Sequence, residues 1–94
     1  MTRAVWKYPV PPYVEETIRP TMLPAGARVI HADVQRDGVY VWAEVTDPDP
    51  AALSARWLGV FATGQEIPDG WQHVATATTP GAEFVWHVYG VPAP

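Results

Sequence analysis

Cysteine is absent from the 94-residue chain, which excludes disulfides, thiolate metal sites and cysteine nucleophiles. Positive charge is scarce as well, because six Lys and Arg stand against ten Asp and Glu and give a net charge of −4. Binding to a phosphate backbone requires clustered Lys and Arg side chains, so we expect no general nucleic-acid binding. A small, specific nucleotide pocket stays open as an alternative.

Long hydrophobic runs are also missing. No apolar run approaches the roughly 18 residues that a membrane-spanning helix needs. The first residues, MTRAVWKYP, lack the apolar block and cleavage site of a signal peptide. We therefore expect a soluble cytoplasmic protein without a membrane partner. Hydrophobic residues make up 48% of the chain and charged residues 17%, which is typical of a folded domain and not of a disordered one.

The clearest structural signal is a β-hairpin over residues 28–46. Apolar and polar residues alternate on both sides of a bend at residues 36–38. We expect the small aliphatic side chains to face the core. The opposite face, with Tyr40 and Trp42, is predicted to be either a second packed layer or an exposed aromatic surface. The predicted core-facing residues are Ile30, Ala32, Val34, Val39, Val41, Ala43 and Val45.

Other short alternating segments predict further strands, at residues 3–8, 15–19, 56–63, 72–79 and 82–89. Residues 10–14 are predicted to form an extended edge crossing, and the prolines of residues 9–12 to shield one edge. Residues 20–26 are predicted to form a turn-rich connection, and residues 51–55 one helical turn. No segment has a useful helical period. The pattern indicates an all-β fold, a small sandwich or partly open barrel of six to seven short, mainly antiparallel strands. We expect one domain over residues 1–90 and a short tail over 91–94.

The chain contains, in this order, the segments VWKYPV, LPAGARVIHADVQ, VYVWAEV, ATGQEIP and EFVWHVYG. This series resembles a family of short uncharacterised proteins of tailed bacteriophages and prophages, and the resemblance covers nearly the whole chain. The sequence departs from the family pattern at residues 62–64, where the family tends to have GTG, and at Tyr89, where it tends to have Phe. The resemblance implies a phage setting and a compact β domain, but no mechanism.

Three histidines, His31, His73 and His87, lie on predicted strands, and their convergence would create a metal site. Their spacing fits no ligand signature, so we interpret them as structural histidines. A catalytic arrangement of nucleophile, base and acid could be assembled from Thr63, His87 and Asp33. No nucleophile elbow or phosphate loop accompanies them. We therefore predict a non-enzymatic protein with no catalytic residue, metal or cofactor.

Aromatic residues are the clearest surplus, with five Trp, four Tyr and two Phe. A domain of this size buries about four or five large rings, so several of them should be partly exposed. Exposed Trp and Tyr often anchor protein interfaces, although packing on both faces of a sheet explains them equally well. The candidate contact residues are His31, Tyr40, Trp42, Trp71, His87 and Tyr89.

These features favour a protein-interaction module that binds a host protein in the cytoplasm of an infected cell. One alternative is a structural or decoration protein of the virion. Another is a module that binds a small ligand or nucleotide. A homodimer is also compatible with the sequence, and it would use the same aromatic surface or an edge strand.

Overall fold

The computed structural model describes residues 2–14, 19–36, 38–47 and 52–92. These residues form two antiparallel sheets: sheet A has the order β1-β4-β3, and sheet B has the order β2-β5-β7-β6. The predicted all-β class is confirmed, as a sandwich without barrel closure. The strands are β1 (Arg3–Val10), β2 (Thr21–Pro24), β3 (Arg28–Gln35), β4 (Gly38–Thr46), β5 (Leu53–Ala62), β6 (Gln72–Thr78) and β7 (Val85–Pro92), with a 3-10 turn at Pro80–Ala82 before β7.

The core lies between the sheets and consists mainly of small aliphatic side chains. Because successive side chains of a strand point to opposite faces, β4 buries every second residue: Val41 and Ala43 are fully buried and Val45 is 1% exposed. Leu58 and Val88 cover them from sheet B. The predicted aliphatic face of the hairpin is therefore confirmed for β4, where Val39 is buried as well. On β3, Ala32 is buried and Val34 packs against the core.

Ile30 is the exception, and its predicted core position is wrong. The pairing of β3 with β4 shifts register between Val29 and His31, which leaves Ile30 as the extra residue of a β-bulge. Val29 takes the inward position opposite Ala43, and Ile30 is 46% exposed. A one-residue insertion reverses the alternation, so the strict period of two fails at this point.

The proline segment carries the chain from sheet A to sheet B. Strand β1 continues through Pro9 to Val10, because an edge strand tolerates a residue without an N–H donor. The Pro11 carbonyl then accepts from the Val60 amide at 3.0 Å, and the Tyr13 amide donates to the Val60 carbonyl at 3.0 Å. The predicted edge crossing is thus confirmed for residues 11–13, which lie along β5, whereas Val10 belongs to β1.

Several predicted boundaries differ from the observed ones. Strand β2 lies within residues 20–26, the predicted turn, because pairing with distant β5 extends it. Leu53 to Ala55 belong to β5 and not to the predicted helical turn, whose first residue is outside the described part of the chain. Residues 15–18 of the predicted second strand are also outside it. Strand β7 begins at Val85 and continues to Pro92, beyond the predicted end at Tyr89.

Candidate interaction surfaces

The six candidate residues lie on opposite sides of the sandwich. His31, Tyr40 and Trp42 are on the outer face of sheet A, which we call face A. His87 and Tyr89 alternate with buried Val88 on β7 and are therefore on the outer face of sheet B, which we call face B. Trp71 follows β5 in a loop and packs on face B. The candidates thus form two groups and not one surface.

Face A combines aromatic rings with charged side chains. The His31 and Trp42 rings are cross-strand neighbours, with centroids 5.5 Å apart. The His31 ring also lies 3.8 Å from the Asp33 carboxylate. The Lys7 ammonium is 4.7 Å from the centre of the Tyr40 ring, a cation–π distance. The Tyr40 and Trp42 rings remain partly exposed beside these charged groups. Face A therefore presents apolar area and charge together.

Glu44 is the central carboxylate of face A. It lies 3.6 Å from the Arg28 guanidinium on β3 and 4.0 Å from the Arg3 guanidinium on β1. Both arginine side chains are well exposed, at 73% and 68%, so these ion pairs contribute little to stability. They instead form a solvent-accessible row of alternating charges across β1, β4 and β3.

Strand β1 is an edge of sheet A, and it carries exposed apolar side chains that the candidate set omits. Val5, on face A, is 51% exposed. Trp6 is on the core-facing side of β1, opposite fully buried Ala43, yet is 54% exposed because sheet B does not cover it. The sequence indicates the direction of Trp6 but carries no signal for the extent of the opposing sheet.

Face B is a second core built from aromatic rings. Phe61 is fully buried on this side of β5, and Tyr13 stacks on it with ring centroids 4.7 Å apart. The Trp71 and Tyr89 rings meet Phe61 edge-on at 5.9 Å and 5.7 Å. Gly59 leaves room for this cluster, since a Cβ there would lie 3.1 Å from the Tyr13 Cβ. Trp71 and Tyr89 therefore help to hold the proline crossing against sheet B.

A chain of polar contacts crosses face B beside the rings. The Thr63 hydroxyl lies 3.0 Å from Nε2 of His87, and the Thr76 hydroxyl lies 3.4 Å from Nδ1 of the same ring. The Thr76 hydroxyl also lies 2.8 Å from Nε2 of His73. Two of the three histidines thus meet through one threonine. Cross-strand register brings them together, because His87 is opposite Thr76 on neighbouring strands.

His31 and Asp33 are on sheet A, away from this chain of contacts. The three histidines therefore do not converge, and Asp33 pairs with His31 and not with His87. Within the described ranges, no three His, Asp or Glu side chains form a group that would hold a metal ion. The same part of the chain contains no helix long and apolar enough to cross a membrane.

Two clefts open at opposite ends of the sandwich. One, of about 560 Å³, lies where β3, β5 and β6 begin and includes His73 but no tryptophan. The other, of about 390 Å³, lies where β3 ends and β4 begins and includes Tyr13, Tyr40 and Trp86 but no histidine. Both volumes are within the range of small-molecule sites. Neither cleft combines Trp with His.

The fold and its two aromatic faces define a small, cysteine-free β-sandwich domain. The chain belongs to the family described as Domain of unknown function (DUF7352), which it matches over residues 1–94. No curated protein and no solved structure matches it.

Proposed function

We propose that the chain is a non-enzymatic protein-interaction module, encoded by a phage or prophage, that binds a host protein in the cytoplasm. The phage setting follows from the sequence resemblance. The contact surface is supported by one observation, the β1 edge of sheet A, where Val5 and Trp6 are both more than half exposed. Large apolar side chains beside an unpaired strand edge favour association with another polypeptide.

Strand β1 differs from the other long edges. Its pairing with β4 is continuous from Arg3 to Val10, whereas β3 and β6, the far edges of the two sheets, both contain bulges. Bulges bend an edge and obstruct pairing with another strand. The four residues of β2 form a much shorter edge. Among the described strands, β1 is therefore the edge best suited to accept a partner strand.

The hydrogen-bond pattern indicates which residues of β1 face outward. The Asp47 amide donates to the Thr2 carbonyl at 2.6 Å, so the even-numbered residues of this strand bond to β4. Odd-numbered residues then direct their N–H and C=O groups away from the sheet. Arg3, Val5 and Lys7 offer both groups, and Pro9 offers only a carbonyl. A partner strand would pair with residues 3–7.

Charge defines the partner further. Arg3 and Lys7 are both cationic, and β1 carries no acidic residue. Pairing of two copies through β1 would bring these cations together, whereas a strand with acidic residues would complement them. The partner is thus an extended, acidic segment of another protein. Tyr40 and Trp42 continue the contact across face A.

Affinity purification from host lysate with quantitative mass spectrometry tests the proposal. Val5→Pro removes one outward donor and leaves the bonds between β1 and β4 in place, and Trp6→Ala removes the exposed ring. Both variants should lose the partner. The matched control is Phe84→Ala, which removes another ring that is 58% exposed and should retain it.

Circular dichroism verifies that each variant is folded. Retention of the partner by folded Val5→Pro and Trp6→Ala proteins would overturn the assignment of the surface. Abundance of the chain in purified virions would contradict the host-binding role and favour a structural one.

A further inference from the structure

The larger cleft has an aliphatic floor and a polar rim. It lies where β3, β5 and β6 begin and β7 ends, and its volume is about 560 Å³. Leu58 on its floor is 3% exposed. Val74 and Val91 add apolar area, whereas the rim is polar. The polar lining residues are Arg28, Arg56, Gln72 and His73.

Arg56 is the most unusual of these residues. It is on the same face of β5 as buried Leu58 and Val60, so it occupies a core-facing position, and it is only partly exposed. Its guanidinium donates to the Ala27 carbonyl, which fixes the side chain at the cleft. Within the described residues, no carboxylate is at ion-pair distance from it. Because a guanidinium has five N–H donors, others are left for a ligand.

The charge of the lining contrasts with the charge of the chain. The protein has ten acidic and six basic residues, yet among the residues that the structure describes no Asp or Glu lines this cleft, whereas two Arg side chains do. Arg28 reaches Glu44 on face A at 3.6 Å, but its side chain is 73% exposed and the pair is weak. The cleft is therefore a locally positive site on an acidic protein.

Both bulges found in the described strands border this cleft. The register of β3 shifts between Val29 and His31, and the register of β6 shifts between His73 and Ala75. These strands are the neighbouring edges of the two sheets. Bulges bend strands and redirect side chains, and they are frequent beside binding sites. Here they place Val29 and Val74 at the opening between the sheets, whereas the His73 ring lies against Tyr89 on face B.

We propose that this cleft binds a small molecule with an oxyanion head group and an aliphatic body. Arg56 binds the head group, since its fork of donors matches a carboxylate or a phosphate. The body lies against Leu58, Val74 and Val91. No Trp or Tyr lines the cleft to stack on a base, so an aliphatic body fits it better than a nucleoside. No residue of β1 lines the cleft, so this site is separate from the proposed protein contact.

Titration of the ¹⁵N-labelled chain, followed by NMR, tests this site with sodium hexanoate and hexyl phosphate as probes. At least one of them should shift the amide signals of the cleft residues saturably, at about tenfold lower concentration than hexanol or inorganic phosphate. The tighter probe identifies the head group as carboxylate or phosphate. Arg56→Gln should weaken binding by about tenfold or more, because it removes a charge-assisted contact.

Arg36→Gln is the matched control, since it removes the same charge from an exposed residue after the far end of β3 and should leave binding unchanged. The proposal is overturned if neither probe causes saturable shifts, if the shifts lie outside the cleft, or if Arg36→Gln weakens binding as much as Arg56→Gln. The comparison of probes on the natural chain needs no variant, so it decides the question even if Arg56→Gln does not fold.

Discussion

Replacement of Phe61 by alanine tests whether face B is a second core. Phe61 is fully buried, and its ring meets those of Tyr13, Trp71 and Tyr89. Removal of a buried Phe ring typically costs about 3–5 kcal/mol of unfolding free energy. A chain of 94 residues has a total stability of roughly 5–14 kcal/mol. Phe61→Ala should therefore remove a large fraction of the stability, or unfold the domain.

Urea unfolding, followed by circular dichroism, measures this loss. The matched control is Phe84→Ala, because Phe84 is 58% exposed and the loss of its stacking on Trp86, at 6.1 Å, should cost no more than about 1.5 kcal/mol. In a double-mutant cycle with Tyr13→Ala, the stacked pair at 4.7 Å should show a coupling of about 0.5–1.5 kcal/mol. Equal stabilities of Phe61→Ala and Phe84→Ala would refute the second core and return Trp71 and Tyr89 to the set of interface residues.

Two further predictions concern sheet B. Gly90→Ala should lower the unfolding free energy by about 1–3 kcal/mol in the same urea experiment, because the added Cβ would lie 2.6 Å from Cδ2 of buried Leu58. An unchanged unfolding free energy would show that Leu58 moves away at no cost. Thr76→Val should shift the imidazole NMR signals of both His73 and His87, because its hydroxyl contacts both rings; a shift in only one ring would contradict the shared contact.

Local patterns in the sequence predict much of this fold. Alternation over residues 28–46 identifies the hairpin and the buried face of β4, and the prolines identify an edge crossing although not its partner strand, because both features depend on neighbouring residues alone. The pairing of β2 with β5 and the bulge at Ile30 depend on residues far away in the chain. Propensity and alternation cannot reveal them, so Ile30 and residues 21–24 are predicted incorrectly, whereas the turn at residues 25–26 is as predicted.

The candidate residues show the same division. Alternation indicates which side of its own strand Tyr40 or Tyr89 occupies, but not which sheet that strand joins. The sequence therefore groups six residues that the fold separates onto two faces. The exposure of Trp6 and the cationic cleft at Arg56 both follow from where the two sheets overlap, which is a property of tertiary packing.

Amide hydrogen exchange of the chain, alone and with its purified protein partner, tests the proposed interaction most directly. The outward N–H groups of Val5 and Lys7 should exchange quickly in the free chain and become protected in the complex, together with residues around Trp42. The amides of β6 should change little. Protection confined to β6 and β7, with unchanged exchange at Val5 and Lys7, would contradict binding through the β1 edge.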